Sequence, residues 1–300
     1  MARDWDSQFN TWSKPPSDTE DTRCENAASM IRKAIAASTA LSGRGLRTFA
    51  QGSYCYGTNV RKDSDVDVCV LCTDTFFYDV AEGVTIPTGT ISPVTYRYSQ
   101  FKDEVGAALR SYFGNGAVTR GKKAFDIHEN TYRVDADVVP CFEYRYYFRN
   151  WNGTLTWNTG VAFEPDNGGR IHNYPEQNYK NGVTKNQNTS QRFKKIVRIV
   201  KNLRNEMNDN SAPAAKPIPS FLLECLAWNV PDNKYGNLTY RGDVGNVISV
   251  VYDATETDEK CKNWCEENGL KYLFHVLQPW TRAQVNAFTV AAWNHAEYNK

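Results

Sequence analysis

Two aspartates separated by one residue open an alternating apolar segment, and this spacing is the first sign of chemistry in the sequence. Asp65 and Asp67 are interleaved with valines, so a strand over 64–71 would point both carboxylates to one face and the valines to the other. Carboxylates this close repel each other and raise each other's pKa. Mg²⁺, a hard cation that prefers oxygen ligands, would relieve that repulsion. The plain alternative is a solvated pair at a strand end.

Two further features favour a metal and a phosphate ligand. Gly52 and Ser53 follow a short predicted strand, where the glycine lets a phosphate approach the backbone and the serine offers a hydroxyl and an amide. Downstream, Asp135 and Asp137 lie on one face of an otherwise apolar strand. Three carboxylates can hold two metal ions, of which one activates an attacking hydroxyl and the other stabilises a leaving pyrophosphate.

The elements that must position these residues follow from hydrophobic periodicity and capping signals. Ser17 and Glu20 form a capping box, which predicts a helix over about 19–37. Periodicity predicts further helices over 96–113, 191–207, 221–228, 258–270 and 281–296, and strands over 46–50, 64–71, 123–127 and 131–142. We interpret the intervening stretch 144–189 as mixed short strands and loops. The pattern predicts a catalytic lobe over 1–180 and a helical lobe over 181–300.

Composition limits the class of protein. The chain has 300 residues, of which 41% are apolar and 23% charged, as is typical of a globular protein. No run approaches the roughly 18–20 apolar residues of a membrane helix, and the start lacks a secretory signal, so we expect a cytoplasmic protein. A net charge of +1 excludes a globally basic nucleic-acid coat. We interpret the eight cysteines as reduced thiols.

The predicted helix over 191–207 carries basic side chains that could balance the roughly four negative charges of a nucleoside triphosphate. Lys194, Arg198 and Lys201 lie along one edge of its apolar stripe, and Lys195 lies on the adjoining flank. For any one of them a solvated basic face is the plain alternative. Ser220 is expected as the N-cap of the next helix, where free amides attract anions.

Several blocks of sequence resemble a known family. They are Trp12–Glu20, Gln51–Tyr54, Thr58–Arg61, Ser64–Val68, Asp137–Pro140, Asn173–Glu176 and Pro219–Phe221. They resemble the nucleotidyltransferase superfamily of the DNA polymerase beta type. Within it, they resemble the bacterial cGAS/DncV-like nucleotidyltransferases (CD-NTases) of anti-phage CBASS operons. The glycine–serine and paired-aspartate core is common to the superfamily, whereas the flanking blocks restrict the resemblance to this family. Together the blocks extend from the N-terminus to about residue 225.

The resemblance implies a fold and an activity. The fold would be α/β (α+β), with a polymerase-beta-like core, a mixed sheet, a C-terminal helical lobe and an active site in the cleft between lobes. The activity would be a two-metal reaction, with Mg²⁺ or Mn²⁺, that joins nucleoside triphosphates such as ATP into a cyclic di- or trinucleotide and releases pyrophosphate. The product would be a second messenger for an effector protein.

The resemblance also implies roles for single residues. Asp137, which is followed by two valines and a proline, matches the third catalytic carboxylate better than Asp135 does. The implied nucleotide-binding residues are Gln51, Gly52, Ser53, Lys195, Lys201 and Ser220, and the implied metal ligands are Asp65, Asp67 and Asp137. Asn167, His172, Asn173 and Tyr174 lie where an acceptor base could be read, although a polar loop is the plain alternative.

Two other functions stay open at the level of sequence. One is a template-free polymerase or nucleotidyltransferase that acts on RNA or a small molecule, and the other is a sensor without turnover. A long basic platform for RNA is missing from the sequence, and the carboxylate set is intact, so both are disfavoured. We expect a monomer without a stable nucleic-acid partner or a membrane. The base composition, linkage and ring size of a product are not encoded in these patterns.

Overall fold

The computed structural model of the chain describes residues 3–60, 65–91 and 95–299. Arg61 and Ser64, which belong to two of the sequence blocks, lie outside the described residues. The chain divides into two compact units. The sheet unit consists of Ser17–Cys55 and Ser64–Pro175, and the helical unit consists of Met1–Pro16, Tyr56–Asp63 and Glu176–Lys300. A division into 1–180 and 181–300 stays a prediction, and two earlier segments belong to the helical unit.

The helices and strands alternate through the first half of the chain and are followed by helices. The elements up to residue 173 are α1 (Trp5–Trp12), α2 (Asp18–Ala36), β1 (Leu46–Gln51), α3 (Gly52–Tyr56), β2 (Val66–Val80), α4 (Tyr98–Phe113), β3 (Val118–Arg120), β4 (Phe125–Ile127), β5 (Ala136–Arg149), β6 (Leu155–Phe163) and β7 (Ile171–Asn173). The remaining helices are α5 (Pro175–Asn188), α6 (Phe193–Asp209), α7 (Ser220–Asn229), α8 (Tyr240–Ala254), α9 (Asp258–Cys261) and α10 (Arg282–His295). The expected α/β class, a mixed sheet followed by a helical region, is confirmed.

One sheet organises the sheet unit. Its strand order is β1–β2–β5–β4–β3, and β6 pairs with the far half of β5 and with β7. The β2–β5 pair is parallel, and the other pairs are antiparallel. Helices α2 and α4 bury Ile31 and Phe101 in the core with sheet residues such as Val70 and Phe142. The capping box at Ser17 forms as predicted, with Glu20 as its partner.

The helical unit is built around α6. Its apolar stripe, which the sequence predicts, is fully buried at Phe193, Ile196 and Leu203. α7, α8 and α10 supply the rest of this core, including Leu222 and Val247. Within 3–60, 65–91 and 95–299, no helix combines the length and the apolar character needed to cross a membrane. The eight cysteines are free thiols, as expected.

Some boundaries differ from the sequence prediction. The helix predicted over 258–270 is wrong beyond Cys261, because the chain turns there and buries Glu266 and Glu267. β2 and β5 run on to Val80 and Arg149, past the predicted ends. The interpretation of 144–189 as strands and loops is wrong over α5, which is a mostly polar helix. α8 was not predicted either, although Val244, Val247, Ile248 and Val251 fall at helical spacing on its buried face.

Candidate active site

A row of polar side chains crosses five neighbouring strands of the sheet. The paired positions along this row are Gln51 on β1, Asp67 on β2, Asp137 on β5, Asp126 on β4 and Thr119 on β3. Residues in register on neighbouring strands share a face, so these side chains lie side by side. The two aspartates predicted from distant motifs, seventy residues apart, are therefore adjacent. Asp65 lies two residues before Asp67, at the entrance to β2.

The electrostatics of this row are dominated by crowded carboxylates. Asp137 is half-buried. Burial, then a hydrogen bond to Asp126 and its charge, and then the charges of Asp67 and Asp65 raise the pKa of Asp137 to about 7. Each of these effects disfavours the ionised form, and a bound cation would reverse them. The arrangement therefore has the electrostatic character of a cation site.

Asp126 is a member of the row that the sequence reasoning missed. It is half-buried on β4 between Phe125 and Ile127, both of which are buried. The segment 123–127 is predicted as a strand, and a lone carboxylate between two core residues must project to the opposite, polar face. That alternation was the available signal, but only the strand register shows that Asp126 faces Asp137.

The turn between β1 and α3 is shaped to fit Asp67. Gly52 has φ +69°, and a Cβ at this position would lie 2.1 Å from Asp67 Oδ2. Any side chain would therefore displace the carboxylate, and the backbone conformation itself favours glycine. Gln51 ends β1 opposite Asp67, and Ser53 follows in α3. The structure thus places Gln51 and Gly52 beside the carboxylate row, and their role in nucleotide binding stays a prediction.

Asp135 has a different environment from Asp137. It is exposed, lies just before β5, and its Oδ1 accepts a hydrogen bond from the backbone N–H of Glu129 at 2.6 Å. This contact closes the turn that leads into the strand. Asp137, in contrast, pairs directly with Asp67 and Asp126. The geometry supports Asp137 as the third carboxylate of the site.

The donor chemistry of the row suits a hard divalent cation, since every charged member is a carboxylate. In the described part of the chain, however, no three His, Cys, Asp or Glu side chains are close enough to hold one ion together. The strand register alone places Asp67 beside Asp137, and Asp137 beside Asp126. The residues therefore fit a divalent metal in type and in backbone placement.

The three residues predicted to contact a triphosphate from the helical unit have different surroundings. Lys195 is half-buried on α6, with Nζ 5.8 Å from the ring centre of Tyr240. Ser220 is the first residue of α7, and its Oγ accepts a hydrogen bond from Arg204 Nη2 at 2.7 Å. The expectation that Ser220 caps α7 is wrong, because Pro219 occupies the N-cap with an extended backbone.

Lys201, the third of these residues, is almost completely buried. Its exposed fraction is 2%, and its Nζ donates to the carboxylate of Glu224 at 2.5 Å and to the carbonyl oxygen of Thr58 at 3.1 Å. Its ammonium is thus engaged by protein groups within the helical unit. The structure does not bring Lys195 and Lys201 to a common ligand, since they occupy different faces of α6.

The residues considered for base recognition are only partly available to a ligand. Tyr174 is buried and packs against Tyr144. His172 stacks on the Tyr144 ring with centroids 4.5 Å apart and an interplanar angle of 11°. Asn167 lies in an exposed turn. Tyr174 is therefore a packing residue, and His172 is oriented by the ring beneath it.

The similarity to known proteins extends over the full length of the chain. The profile of the cGAS/DncV-like nucleotidyltransferase C-terminal helical domain matches residues 180–297. The chain is 45% identical to the cyclic dipyrimidine nucleotide synthase CdnE of Legionella pneumophila, over 100% of both chains. It is 41% identical to the cyclic dipyrimidine nucleotide synthase CdnE of Cecembia lonarensis, over 99% of this chain and 100% of that one. The structure of Elizabethkingia meningoseptica CdnE cyclic dinucleotide synthase with GTP and Apcpp superposes with a TM-score of 0.80 at 32% identity, covering 98% and 99% of the two chains.

Proposed function

The chain belongs to the cGAS/DncV-like nucleotidyltransferases, and we propose that it joins two pyrimidine nucleoside triphosphates into a cyclic dinucleotide. Synthesis of a cyclic oligonucleotide from nucleoside triphosphates is the activity common to its full-length relatives. The observation that carries the pyrimidine assignment is that the relatives at 45% and 41% identity are both named cyclic dipyrimidine nucleotide synthases.

The reaction consists of two phosphoryl transfers. In each, a hydroxyl oxygen of the acceptor ribose forms a bond to the α-phosphorus of the donor, and the bond from that phosphorus to the oxygen bridging to the β-phosphate breaks. Pyrophosphate leaves with the electron pair of that bond. The hydroxyl proton passes to the carboxylate of Asp137. The second transfer joins the remaining hydroxyl to the remaining α-phosphate, which closes the ring and releases a second pyrophosphate.

The carboxylate row provides the residues for this chemistry. Asp65, Asp67 and Asp137 would hold divalent cations, Mg²⁺ in the first instance and Mn²⁺ as a substitute. Bound cations would polarise the reacting phosphate and stabilise the charge on the leaving pyrophosphate. Gly52 leaves room for the Asp67 carboxylate, because a Cβ there would collide with it. The placement of the Asp67 carboxylate therefore depends on the glycine at position 52.

The residues proposed to bind the triphosphate are those that the family resemblance implies. Gln51, Gly52 and Ser53 surround the turn after β1, and Ser53 would donate its hydroxyl to a phosphate oxygen. Lys195 and Ser220 would contribute a cation and a hydroxyl from α6 and α7. Lys201 was predicted as a further cation, although its ammonium pairs with Glu224.

The test is to incubate the purified protein with Mg²⁺ and each pair of the four nucleoside triphosphates, and then to treat the product with phosphatase. We expect a product from UTP, CTP or their mixture whose mass phosphatase leaves unchanged, because a ring has no terminal phosphate. A product formed only from ATP and GTP would contradict the pyrimidine assignment. A ladder of oligomers that lose terminal phosphates would contradict ring closure and favour the template-free polymerase.

The biological setting follows from the family resemblance. We propose that the cyclic product is a second messenger that activates an effector protein in defence against phage, and that the enzyme acts as a monomer in the bacterial cytoplasm. Phage challenge of cells that carry the wild-type enzyme or the Asp67→Asn variant tests the first part. Equal protection by the two would contradict a signalling role for the product.

A further inference from the structure

Two polar contacts join α6 to α7, one helical turn apart. Lys201 Nζ donates to the Glu224 carboxylate at 2.5 Å, and Arg204 Nη2 donates to Ser220 Oγ at 2.7 Å. The two cations lie on one face of α6, and their two partners lie on one face of α7, because side chains three or four residues apart are neighbours on a helix. We call these four residues the α6–α7 ladder. It contains two residues that the resemblance implies for triphosphate binding, Lys201 and Ser220, and a partner for each.

The ammonium of Lys201 keeps one donor for a ligand. An ammonium group carries three N–H donors. Among the described residues, Nζ donates to the carboxylate of Glu224 and to the carbonyl oxygen of Thr58, the latter at 3.1 Å, so one N–H is left. Lys201 is 2% exposed and Glu224 is 3% exposed, so water hardly competes for either contact. Two buried acceptors therefore fix the direction of the third N–H.

The second contact of the ladder sets the role of the Ser220 hydroxyl. A hydroxyl can both donate and accept, whereas the guanidinium of Arg204 can only donate. Ser220 Oγ is therefore the acceptor in this contact, and its own hydrogen is available to a ligand. Arg204 Nη1 also donates to the carbonyl oxygen of Ile218 at 2.6 Å, which holds the residues that lead into α7. A phosphate oxygen, which only accepts, suits a hydroxyl oriented in this way.

The charges of the ladder favour an anion. Its members are two cations and one carboxylate, so one positive charge is left over. A second carboxyl group, Glu267, lies near Glu224. Burial first, and then the charge of Glu224, raise the pKa of Glu267 well above its usual range, so Glu267 stays neutral and does not cancel that charge.

We propose that Glu224 and Arg204 are positioning residues for the triphosphate. Glu224 directs the third N–H of Lys201, and Arg204 directs the hydroxyl hydrogen of Ser220, to phosphate oxygens of one ligand. The inference rests on the proposed function, since it takes Lys201 and Ser220 as triphosphate contacts. Although Glu224 is itself an anion, it supports binding, because a buried lysine without a counter-charge is strongly disfavoured as the ammonium that the phosphates require.

The first test measures binding and needs no turnover. Inorganic triphosphate is titrated into the full chain with Mg²⁺ and followed by calorimetry. Glu224→Gln should weaken binding by about tenfold or more, since a charge-assisted contact loses its orientation. In the Lys201→Met background the same substitution should change the affinity by less than about twofold, because the residue that Glu224 positions is absent. Equal factors in the two backgrounds, or tighter binding in Glu224→Gln, would overturn the proposal.

A second cycle tests the other half of the ladder and does not depend on whether Glu224→Gln folds. Arg204 and Ser220 are both half-buried, and neither is the counter-charge of a buried ion pair. Arg204→Met should weaken triphosphate binding by about threefold or more, and should have no further effect in the Ser220→Ala background. The same loss in both backgrounds would show that Arg204 attracts the anion by its charge alone, which would overturn its role as a positioning residue.

The matched control is Glu256→Gln, which removes the carboxylate of an exposed ion pair in the same unit. It changes the net charge as Glu224→Gln does. We expect its affinity for inorganic triphosphate and its thermal unfolding to equal those of the wild type. A loss of affinity equal to that in Glu224→Gln would mean that net charge, and not positioning, governs binding.

Steady-state kinetics with the nucleoside triphosphates complete the test. Glu224→Gln and Arg204→Met should raise the KM by the factors found for inorganic triphosphate and leave kcat within about threefold, because the contacts form in the ground state. A lower kcat at an unchanged KM would overturn the proposal, and so would a wild type that binds no inorganic triphosphate. A wild type that binds triphosphate but makes no cyclic product would instead contradict the proposed function, and the two cycles would still decide the positioning.

Discussion

The sheet unit and the helical unit concentrate charge in opposite ways. In the sheet unit, Asp65, Asp67, Asp126 and Asp137 crowd like charges together, and the pKa of Asp137 rises to about 7. In the helical unit, Lys201 and Glu224 form an ion pair that is almost inaccessible to water. In the sheet unit, repulsion between ionised carboxylates raises the free energy of the protein when no cation is bound. In the helical unit, the two opposite charges compensate each other.

This difference teaches how to read a cluster of charged side chains. A buried pair with its own counter-charge has no need of a ligand, and breaking it destabilises the fold. A crowded set of carboxylates that is only half-buried stores repulsion, which an external cation can relieve. Function is therefore to be sought first where the charge is unfavourable. Four experiments can break or sharpen the comparison.

The largest effect is expected at the carboxylate row. Asp67→Asn and Asp137→Asn should each reduce product formation by more than about 99%, because each removes a proposed ligand of the divalent cation. Stability should be unchanged or higher, since a like charge is removed from a crowded row. Product formation by mass spectrometry and thermal unfolding of the same samples measure both.

The control for the carboxylate variants is Asp135→Asn, which alters the turn contact with Glu129 but not the row. It should keep most of the activity. Near-normal turnover in Asp137→Asn together with loss of turnover in Asp135→Asn would show that the third carboxylate is assigned to the wrong residue.

An intermediate effect is expected at Asp126. Asp126→Ala removes the hydrogen bond that orients Asp137, and should lower kcat by about tenfold or more, as is typical when the partner of a metal ligand is lost. Asp126→Asn retains a hydrogen-bonding side chain of the same shape and should stay within about threefold of the wild type. Equal losses in both variants would show that Asp126 is needed for its charge, which would make it a fourth ligand.

A smaller effect is expected at Lys195. A half-exposed cation that attracts a triphosphate contributes to ground-state binding, so Lys195→Ala should raise the KM for the nucleotide by about threefold to tenfold and leave kcat unchanged. Lys216→Ala, at an exposed position after α6, is the control and should change neither. The same KM in both variants would mean that Lys195 belongs to a solvated basic surface.

The smallest effect on activity, and a distinct effect on stability, is expected at Glu267. Its pKa is well above the usual 4.5 in the folded chain, because of burial and then the charge of Glu224, so the folded state retains a proton that the unfolded state loses. Relative to Glu267→Gln, the free energy of unfolding of the wild type should therefore fall as pH rises from 4.5 towards the folded-state pKa, with a slope of at most about 1.4 kcal/mol per pH unit.

Chemical denaturation of the wild type and of Glu267→Gln between pH 5 and 8 measures this difference, while turnover should be equal in the two proteins. A stability difference that does not depend on pH would show that Glu267 is ionised in the folded chain, and that the charge balance inferred for the helical unit is incomplete.

Local patterns predicted the elements that carry a strong local signal. The capping box at Ser17 and the apolar stripe of α6 fix their helices within a few residues, and the alternation around Asp67 fixes the start of β2 but not its end. These predictions succeed because the sequence signal and the element that it predicts lie in the same short stretch of chain. The alternation also indicated Asp65 and Asp67, whereas the choice of Asp137 over Asp135 came from the family resemblance.

Contacts between distant segments were not predictable in this way. The pairing of Asp126 with Asp137 depends on which strands are neighbours, and a single strand pattern does not encode it. The burial of Lys201 depends on Glu224, which belongs to another helix, so the sequence shows only a lysine beside an apolar stripe. The loop after Cys261 was predicted as a helix because its turn is stabilised by tertiary burial of Glu266 and Glu267.

The parallel pairing of β2 with β5 has a consequence for how the enzyme becomes active during synthesis. Asp67 and Asp137 meet only when a loop of seventy residues closes, whereas the β1–β2 hairpin forms from neighbouring chain. A slip of one residue between β2 and β5 would turn the carboxylates into the core and the valines into solvent, so wrong registers are strongly disfavoured. A nascent chain therefore forms the β1–β2 hairpin well before the carboxylate row, and a chain truncated before β5 lacks Asp137.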